Sequence, residues 1–131
     1  MGDVGIMKLE VINMEFSICK VRDLSGVNFD DEFLFLGKTD QELSLVCDSA
    51  YVPEDCLERV DGWKAFRIVG ILDFSLTGIL SKISSILSDK RIGIFAISTF
   101  NTDYILVKKK DLQPAAAALE SEGYSFINSG E

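Results

Sequence analysis

The sequence has no histidine among its 131 residues, and it contains only two prolines, one tryptophan and three cysteines. Histidine is the commonest general base and a frequent metal ligand, so its absence disfavours acid–base catalysis and most transition-metal sites. The cysteines, Cys19, Cys47 and Cys56, are odd in number and fit no CxxC spacing. The sequence therefore predicts no disulfide framework, no metal centre and no cofactor, and we expect Cys19 and Cys47 to be small buried side chains.

Positive charge is also scarce, with 13 Lys and Arg residues against 21 Asp and Glu residues and a net charge of −8. Proteins that bind nucleic acid usually carry a basic face. The only basic run here is Lys108, Lys109 and Lys110, which we interpret as a solvated strand end. No apolar stretch approaches the roughly 20 residues needed to cross a membrane. The composition thus predicts a cytoplasmic protein with neither nucleic-acid nor membrane partners.

The remaining composition is that of an ordinary globular protein, with 47% hydrophobic and 26% charged residues. A chain of this length forms one domain or two very small ones. Two small halves would each bury little apolar surface, so we expect them to pack on each other or on a second copy of the chain.

Hydrophobic periodicity is clearest in the second half of the chain. Alternation predicts a strand at residues 63–69, and apolar residues at 76, 79, 80, 83, 86 and 87 predict a helix over 76–87 that Ser75 or Thr77 caps. Strands at 92–99 and 104–107 flank a hairpin turn, a second helix begins at Asp111 and ends before Gly123, and a last strand covers 124–127. This β-α-β-β-α-β order predicts a ferredoxin-like fold, an antiparallel sheet with both helices on one face.

The first half is less regular. Strands are predicted at 8–14, 15–21, 33–36 and 42–47, and residues 48–60 are predicted to be a connection. Leu43, Leu45 and Cys47 would share one face of the strand at 42–47. Residues 23–31 show no clear period, which indicates a loop or a single helical turn.

Two segments resemble the ACT domain: GILDFSLTGIL at 70–80 and IFAISTFNTDYILV at 94–107. More narrowly, they resemble small bacterial tandem-ACT proteins related to the aspartokinase regulatory region and to the animal arginine-sensor proteins. The first half matches more loosely, through residues 16–21 and 42–47. The resemblance implies an α+β fold of two ferredoxin-like (ACT-type) units packed side by side, with antiparallel sheets and helices on one face. Residues 1–60 would form a reduced first unit and residues 61–131 a complete ACT domain.

The resemblance also implies a function, namely a non-catalytic regulatory protein, expected to be a homodimer, that binds an amino acid where two ACT units meet. Three segments would supply the contacts: the loop into the first helix of the later unit, the strand with the Ser-Thr-Phe pattern, and a strand of the earlier unit. Carried over to this sequence, the ligand-binding positions are Leu72, Asp73, Ser75, Thr77, Gly78, Ile79, Ser98, Thr99, Phe100, Asp103, Ser44, Leu45 and Val46.

The chemistry of these residues suits a free amino acid. The start of a helix offers unpaired backbone N–H groups to a carboxylate, and Gly78 would let the ligand approach the backbone closely. Ser75 and Thr77 would add hydroxyl donors. Asp73 and Asp103 would accept from the ammonium group, since charge-assisted hydrogen bonds are the stronger ones. Thr99 and Phe100 would contribute backbone carbonyls and one apolar wall.

Each residue also has a purely structural interpretation. Ser75 and Thr77 would only cap the helix, Gly78 would relieve crowding, Asp103 would brace its hairpin, Phe100 would be core, and Trp63 and Arg67 would be packing and surface residues. Two other functions stay open. An acid–base pair of Asp73 and Asp103 would indicate an enzyme, although no nucleophile–base pattern accompanies it. A vestigial ligand site would leave a protein–protein interaction or dimerisation module.

Overall fold

The helices and strands are those of a computed structural model, which describes residues 7–69 and 78–128. In chain order they are β1 (Lys8–Lys20), β2 (Leu34–Lys38), β3 (Leu43–Asp48), β4 (Glu58–Ile68), α1 (Ile79–Asp89), β5 (Ile94–Ser98), β6 (Asp103–Lys108), α2 (Leu112–Ser121) and β7 (Ser125–Asn128). Short 3-10 turns at Ser49–Tyr51 and Lys109–Asp111 follow β3 and β6. No helix within these two ranges is long and apolar enough to cross a membrane.

The chain divides into two compact units, which we call the N-terminal unit (residues 14–63) and the C-terminal unit (residues 7–13 with 64–128). The strands β1 and β4 each contribute residues to both units. The part of β1 at residues 8–13 thus belongs to the C-terminal unit. The sequence analysis predicted instead that residues 1–60 form the first unit. That the N-terminal unit is a reduced ACT unit stays a prediction.

The C-terminal unit has the predicted β-α-β-β-α-β order in β4, α1, β5, β6, α2 and β7. Its strands lie in the order β7-β1-β4-β6-β5. β5 and β6 are antiparallel, from Ile94↔Val107 to Ser98↔Asp103. The α+β, ferredoxin-like prediction is confirmed, with one correction: β1 lies between β7 and β4, and β7 runs parallel to it, from Lys8↔Ser125 to Val11↔Asn128.

Both helices pack on the same face of this sheet. Every second residue of β4 and β6 points to that face, so Phe66, Ile68, Ile105 and Val107 form one buried cluster with both helices. The helices contribute residues spaced by three or four positions, as the sequence predicted. The buried helix residues in this cluster are Ile83, Leu87, Ala115 and Leu119, with Ile79, Leu80 and Ile86 packed at the edge.

The helix ends differ in how well the sequence predicted them. α1 begins at Ile79, three positions after the predicted start, and its N-cap is Gly78 with φ +81°. Asp111 is the N-cap of α2, but its side chain makes no capping hydrogen bond and instead lies 3.4 Å from Lys110 Nζ. Gly123 follows the end of α2 as predicted, with φ +101°, and its N–H donates to the Glu120 carbonyl at 3.1 Å.

Replacing Gly123 by alanine should lower the free energy of unfolding by about 1–2 kcal/mol, because a Cβ disfavours the left-handed backbone. Gly93 is the matched control: its φ is not positive, and an added Cβ would meet no atom within 4 Å. Urea denaturation of Gly123→Ala and Gly93→Ala measures both effects. Equal losses in the two variants would contradict the backbone explanation.

In the N-terminal unit, β3 pairs antiparallel with both β1 and β2. One face of these strands buries Cys19, Val21, Leu45 and Cys47 as a core cluster. The expectation that Cys19 and Cys47 are small buried side chains is therefore confirmed. Because residues 8–20 form one continuous strand, the prediction of two strands at 8–14 and 15–21 was wrong.

Candidate functional site

The β5–β6 hairpin brings together three of the predicted polar positions, Ser98, Thr99 and Asp103. Ser98 and Asp103 are the last pair of the ladder, and Ser98 Oγ donates to Asp103 Oδ1 at 2.6 Å. The Thr99 N–H and Oγ1 both donate to the Thr102 carbonyl, at 2.8 and 2.9 Å, which closes the turn. Asp103 thus braces the hairpin, as the structural interpretation predicted. A carboxylate has two oxygens, so this role leaves room for a second donor.

Phe100 lies in this turn and is 84% exposed. Its interpretation as a core residue is therefore wrong. An exposed aromatic ring beside polar groups offers apolar surface to a ligand or a partner protein.

Thr102, which the sequence interpretation passed over, anchors the hairpin. It is buried, and its Oγ1 donates to the Ile68 carbonyl at 2.8 Å. Ile68 is the last residue of β4, after which the chain leads towards α1. The hairpin turn therefore lies at the end of the sheet at which β4 terminates. Its sequence signal is weak, because a threonine in a turn is common whatever it contacts.

The start of α1 holds two further predicted positions. An added Cβ at Gly78 would meet no described atom within 4 Å, so the positive φ, and not crowding, requires glycine there. The N-cap of α1 is a glycine, which has no side chain to cap the helix, and the first turn has no acidic residue. Its first backbone N–H groups thus lack the usual protein acceptors in the described part of the chain. Ile79 packs against the core.

The other predicted positions are in two places. Leu72, Asp73, Ser75 and Thr77 lie outside the described residues. Ser44, Leu45 and Val46 lie on β3, in the N-terminal unit. Leu45 and Val46 are buried there. The side chain of Leu45 packs in the core cluster of that unit.

A second feature of the C-terminal unit was not predicted, namely a cavity of about 260 Å³ beside the hairpin turn. Its polar lining comes from Glu10, Arg67, Tyr104, Asn101 and Thr102. Arg67 Nε donates to Glu10 Oε1 at 3.0 Å, and Arg67 Nη1 donates to Tyr104 Oη at 3.2 Å. The guanidinium carbon lies 5.9 Å from the centre of the Tyr104 ring, within cation–π range.

Arg67 is held as a cation in this cavity. Desolvation by burial lowers its pKa, but hydrogen bonds to Tyr104 and Glu10 outweigh that effect, so the pKa of Arg67 lies above its usual value. The sequence interpretation of Arg67 as a surface or packing residue missed this arrangement. Glu10 is 57 positions away, and no local pattern joins the two residues.

Comparison with known proteins identifies one matching family and several solved structures with a similar fold. A model of the ACT domain matches residues 58–121. A protein from Agrobacterium tumefaciens with an X-ray structure is 31% identical, with a TM-score of 0.83, covering 98% of this chain and 97% of its own.

Two less similar structures share the fold alone. The ligand-free regulatory subunit of aspartate kinase from Thermus thermophilus is 10% identical, with a TM-score of 0.56, covering 82% of this chain and 92% of its own. Aspartate kinase from Clostridium acetobutylicum is 15% identical, with a TM-score of 0.62. The match covers 83% of this chain but only 33% of that enzyme.

Proposed function

The chain belongs to the ACT domain family, and on this premise we propose that it is a non-catalytic regulatory protein that binds a free amino acid. The observation that carries the proposal concerns the end of the sheet at which β4 terminates. The Ser98–Asp103 pair lies there, and after β4 the chain leads to α1, whose N-cap Gly78 supplies no capping side chain. The fold shared with an aspartate kinase regulatory subunit supports a regulatory role.

The groups suit the two charges of an amino acid. Backbone N–H groups at the start of α1 would donate to the ligand carboxylate, which the helix dipole also favours. Asp103 would accept from the ammonium group while keeping its bond to Ser98. The exposed ring of Phe100 would cover part of the ligand side chain. A contribution from Ser44, Leu45 and Val46, and a homodimer in the cytoplasm, remain predictions.

A non-catalytic role agrees with the nucleophiles available. The chain has no histidine to activate a hydroxyl or a thiol. Burial raises the pKa of the Cys47 thiol to about 12 and also raises the pKa of Cys19. At neutral pH both are protonated thiols, which are poor nucleophiles.

The test is a thermal melt of the purified protein with each of the twenty amino acids. The ligand should stabilise the folded state by about 2.7 kcal/mol at a hundred times its Kd. Asp103→Asn should weaken binding by about tenfold to a hundredfold, since a hydrogen bond to a charged group contributes about 1.5–3 kcal/mol. Asp89→Asn, at the other end of α1, is the matched control and should bind as the wild type does. An unchanged melting temperature with every amino acid at millimolar concentration would refute the proposal.

One alternative has its own support. β5 ends the strand order of the C-terminal unit, and an edge strand can pair with another chain. Together with the exposed Phe100, it would suit a dimerisation module whose ligand site is vestigial. Size-exclusion chromatography separates the two functions: a dimer that no amino acid stabilises would favour the alternative.

A further inference from the structure

The cavity lined by Arg67 and Glu10 lies on the sheet face that the helices do not cover. Successive residues of a strand point to opposite faces. Phe66 and Ile68 pack with the helices, so Arg67 between them points the other way, as do Tyr104 before Ile105 and Glu10 after Leu9. Asp103 shares the face of Ile105. The cavity is therefore separate from the proposed site around Asp103.

We propose that this cavity is a second ligand site and that it takes a small zwitterion. The carboxylate of the ligand binds the Arg67 guanidinium, and its ammonium group binds the Glu10 carboxylate. Thr102, Val69 and Tyr104 also line the cavity. The site needs no residue from the proposed amino-acid site at the start of α1.

The charges of the lining select this chemical class. Among the described residues, the cavity is lined by one cationic and one anionic side chain, 3.0 Å apart, and by no other ionisable residue except Tyr104. A simple anion would approach Arg67 but also meet the negative Glu10, and a simple amine would meet the positive Arg67. A ligand that carries both charges pairs with both side chains, because each of its groups lies opposite an unlike charge.

Size and burial agree with a small polar ligand. Pockets for drug-sized molecules span about 300–1,000 Å³, and this cavity of about 260 Å³ is smaller. The side chains of Arg67 and Glu10 are 31% and 19% exposed. They are partly desolvated, which strengthens charge interactions, yet a ligand can reach them from solvent.

The guanidinium is also held in place before any ligand arrives. Tyr104 Oη accepts from Nη1, and Glu10 accepts from Nε, so the plane of the group is fixed from two sides. A planar, fixed guanidinium recognises a carboxylate by geometry as well as by charge, which a lysine would not do. The ligand binds by adding to, or partly replacing, the Glu10–Arg67 contact.

The experiment uses the full chain, labelled with ¹⁵N, and the twenty amino acids as probes. For any amino acid that binds, the same titration is run with the acid that lacks its amino group and with the amine that lacks its carboxylate. We expect the zwitterion to shift the amide signals of Glu10, Arg67, Thr102 and Tyr104. Each singly charged analogue should bind at least about tenfold more weakly, as expected when one charge-assisted bond is lost.

Variants then locate the site. Arg67→Met and Glu10→Gln should each weaken binding at this site by at least about tenfold, whereas Asp103→Asn should leave it unchanged. Arg67→Lys, which keeps the charge, should also bind more weakly because it lacks the planar fork. If Arg67→Met fails to fold, Glu10→Gln and the wild-type shift map still decide the outcome.

Three results would overturn the inference. The first is that no amino acid shifts the four amide signals at millimolar concentration. The second is that the singly charged analogues bind as tightly as the zwitterion. The third is that Asp103→Asn abolishes all binding while Arg67→Met leaves it intact, which would place the ligand at the proposed site alone. Loss of binding at the Asp103 site alone, with the Arg67 signals still shifting in Asp103→Asn, would support two separate sites.

Discussion

Replacing Phe66 by alanine is expected to lower the free energy of unfolding by about 3–5 kcal/mol, the usual cost of removing a buried aromatic ring. Phe66 is 0% exposed and belongs to the core cluster of the C-terminal unit. Its ring meets that of Phe126 edge to face, with 5.4 Å between centroids, so the substitution also removes an aromatic pair. Urea denaturation of the wild type and the variant measures the difference.

Phe100→Ala is the matched control for this change, because the same atoms are removed from a ring that is 84% exposed. A surface substitution of this kind usually changes stability by no more than about 0.5 kcal/mol. A loss in Phe100→Ala comparable to that in Phe66→Ala would show that the ring in the hairpin turn is buried in solution, for instance by a second chain.

Leu45→Ala should cost about 2–5 kcal/mol, because it empties the centre of the core of the N-terminal unit. Leu45 is 1% exposed and packs in one cluster with Cys19, Val21 and Cys47. The strands on either side of β3 prevent the backbone from closing over the missing volume, so a cavity should remain. Chemical denaturation again gives the loss.

Leu36 provides a control of identical chemistry, since it is the direct cross-strand partner of Leu45 on β2. It is 40% exposed, so Leu36→Ala removes much less buried surface. We expect a loss of no more than about half that of Leu45→Ala. Equal losses would mean that β2 is covered in solution and that this face of the unit is an interface.

The elements of the C-terminal unit could be predicted from the sequence because their signals are local. Alternation around Phe66 and Ile68 identified β4, and the spacing of Ile83 and Leu87 identified the buried face of α1. Gly123 marked the end of α2, since a left-handed residue after a helix favours glycine. The start of α1 was predicted too early, because the apolar spacing continues from Leu76 although the helix begins at Ile79.

The candidate site was predictable only in part. The hairpin turn was predicted at residues 100–103 from its position between two strands, and the structure confirms a turn there, between Ser98 and Asp103. The side-chain roles did not follow. An exposed and a buried phenylalanine look alike in sequence. The exposure of the Phe100 side chain therefore follows only from the conformation of the turn. Thr102 likewise gained its role from the Ile68 carbonyl, 34 positions earlier.

The sequence by itself determined what lies within a few positions along the chain: the order β-α-β-β-α-β, the buried face of α1, and the small buried cysteines. Only the tertiary structure decided which distant segments meet. It placed β1 between β7 and β4, and through that placement brought Glu10 to Arg67 beside the hairpin turn. The physical reason is that periodicity reports which face a residue takes, whereas strand pairing depends on the packing of the whole unit.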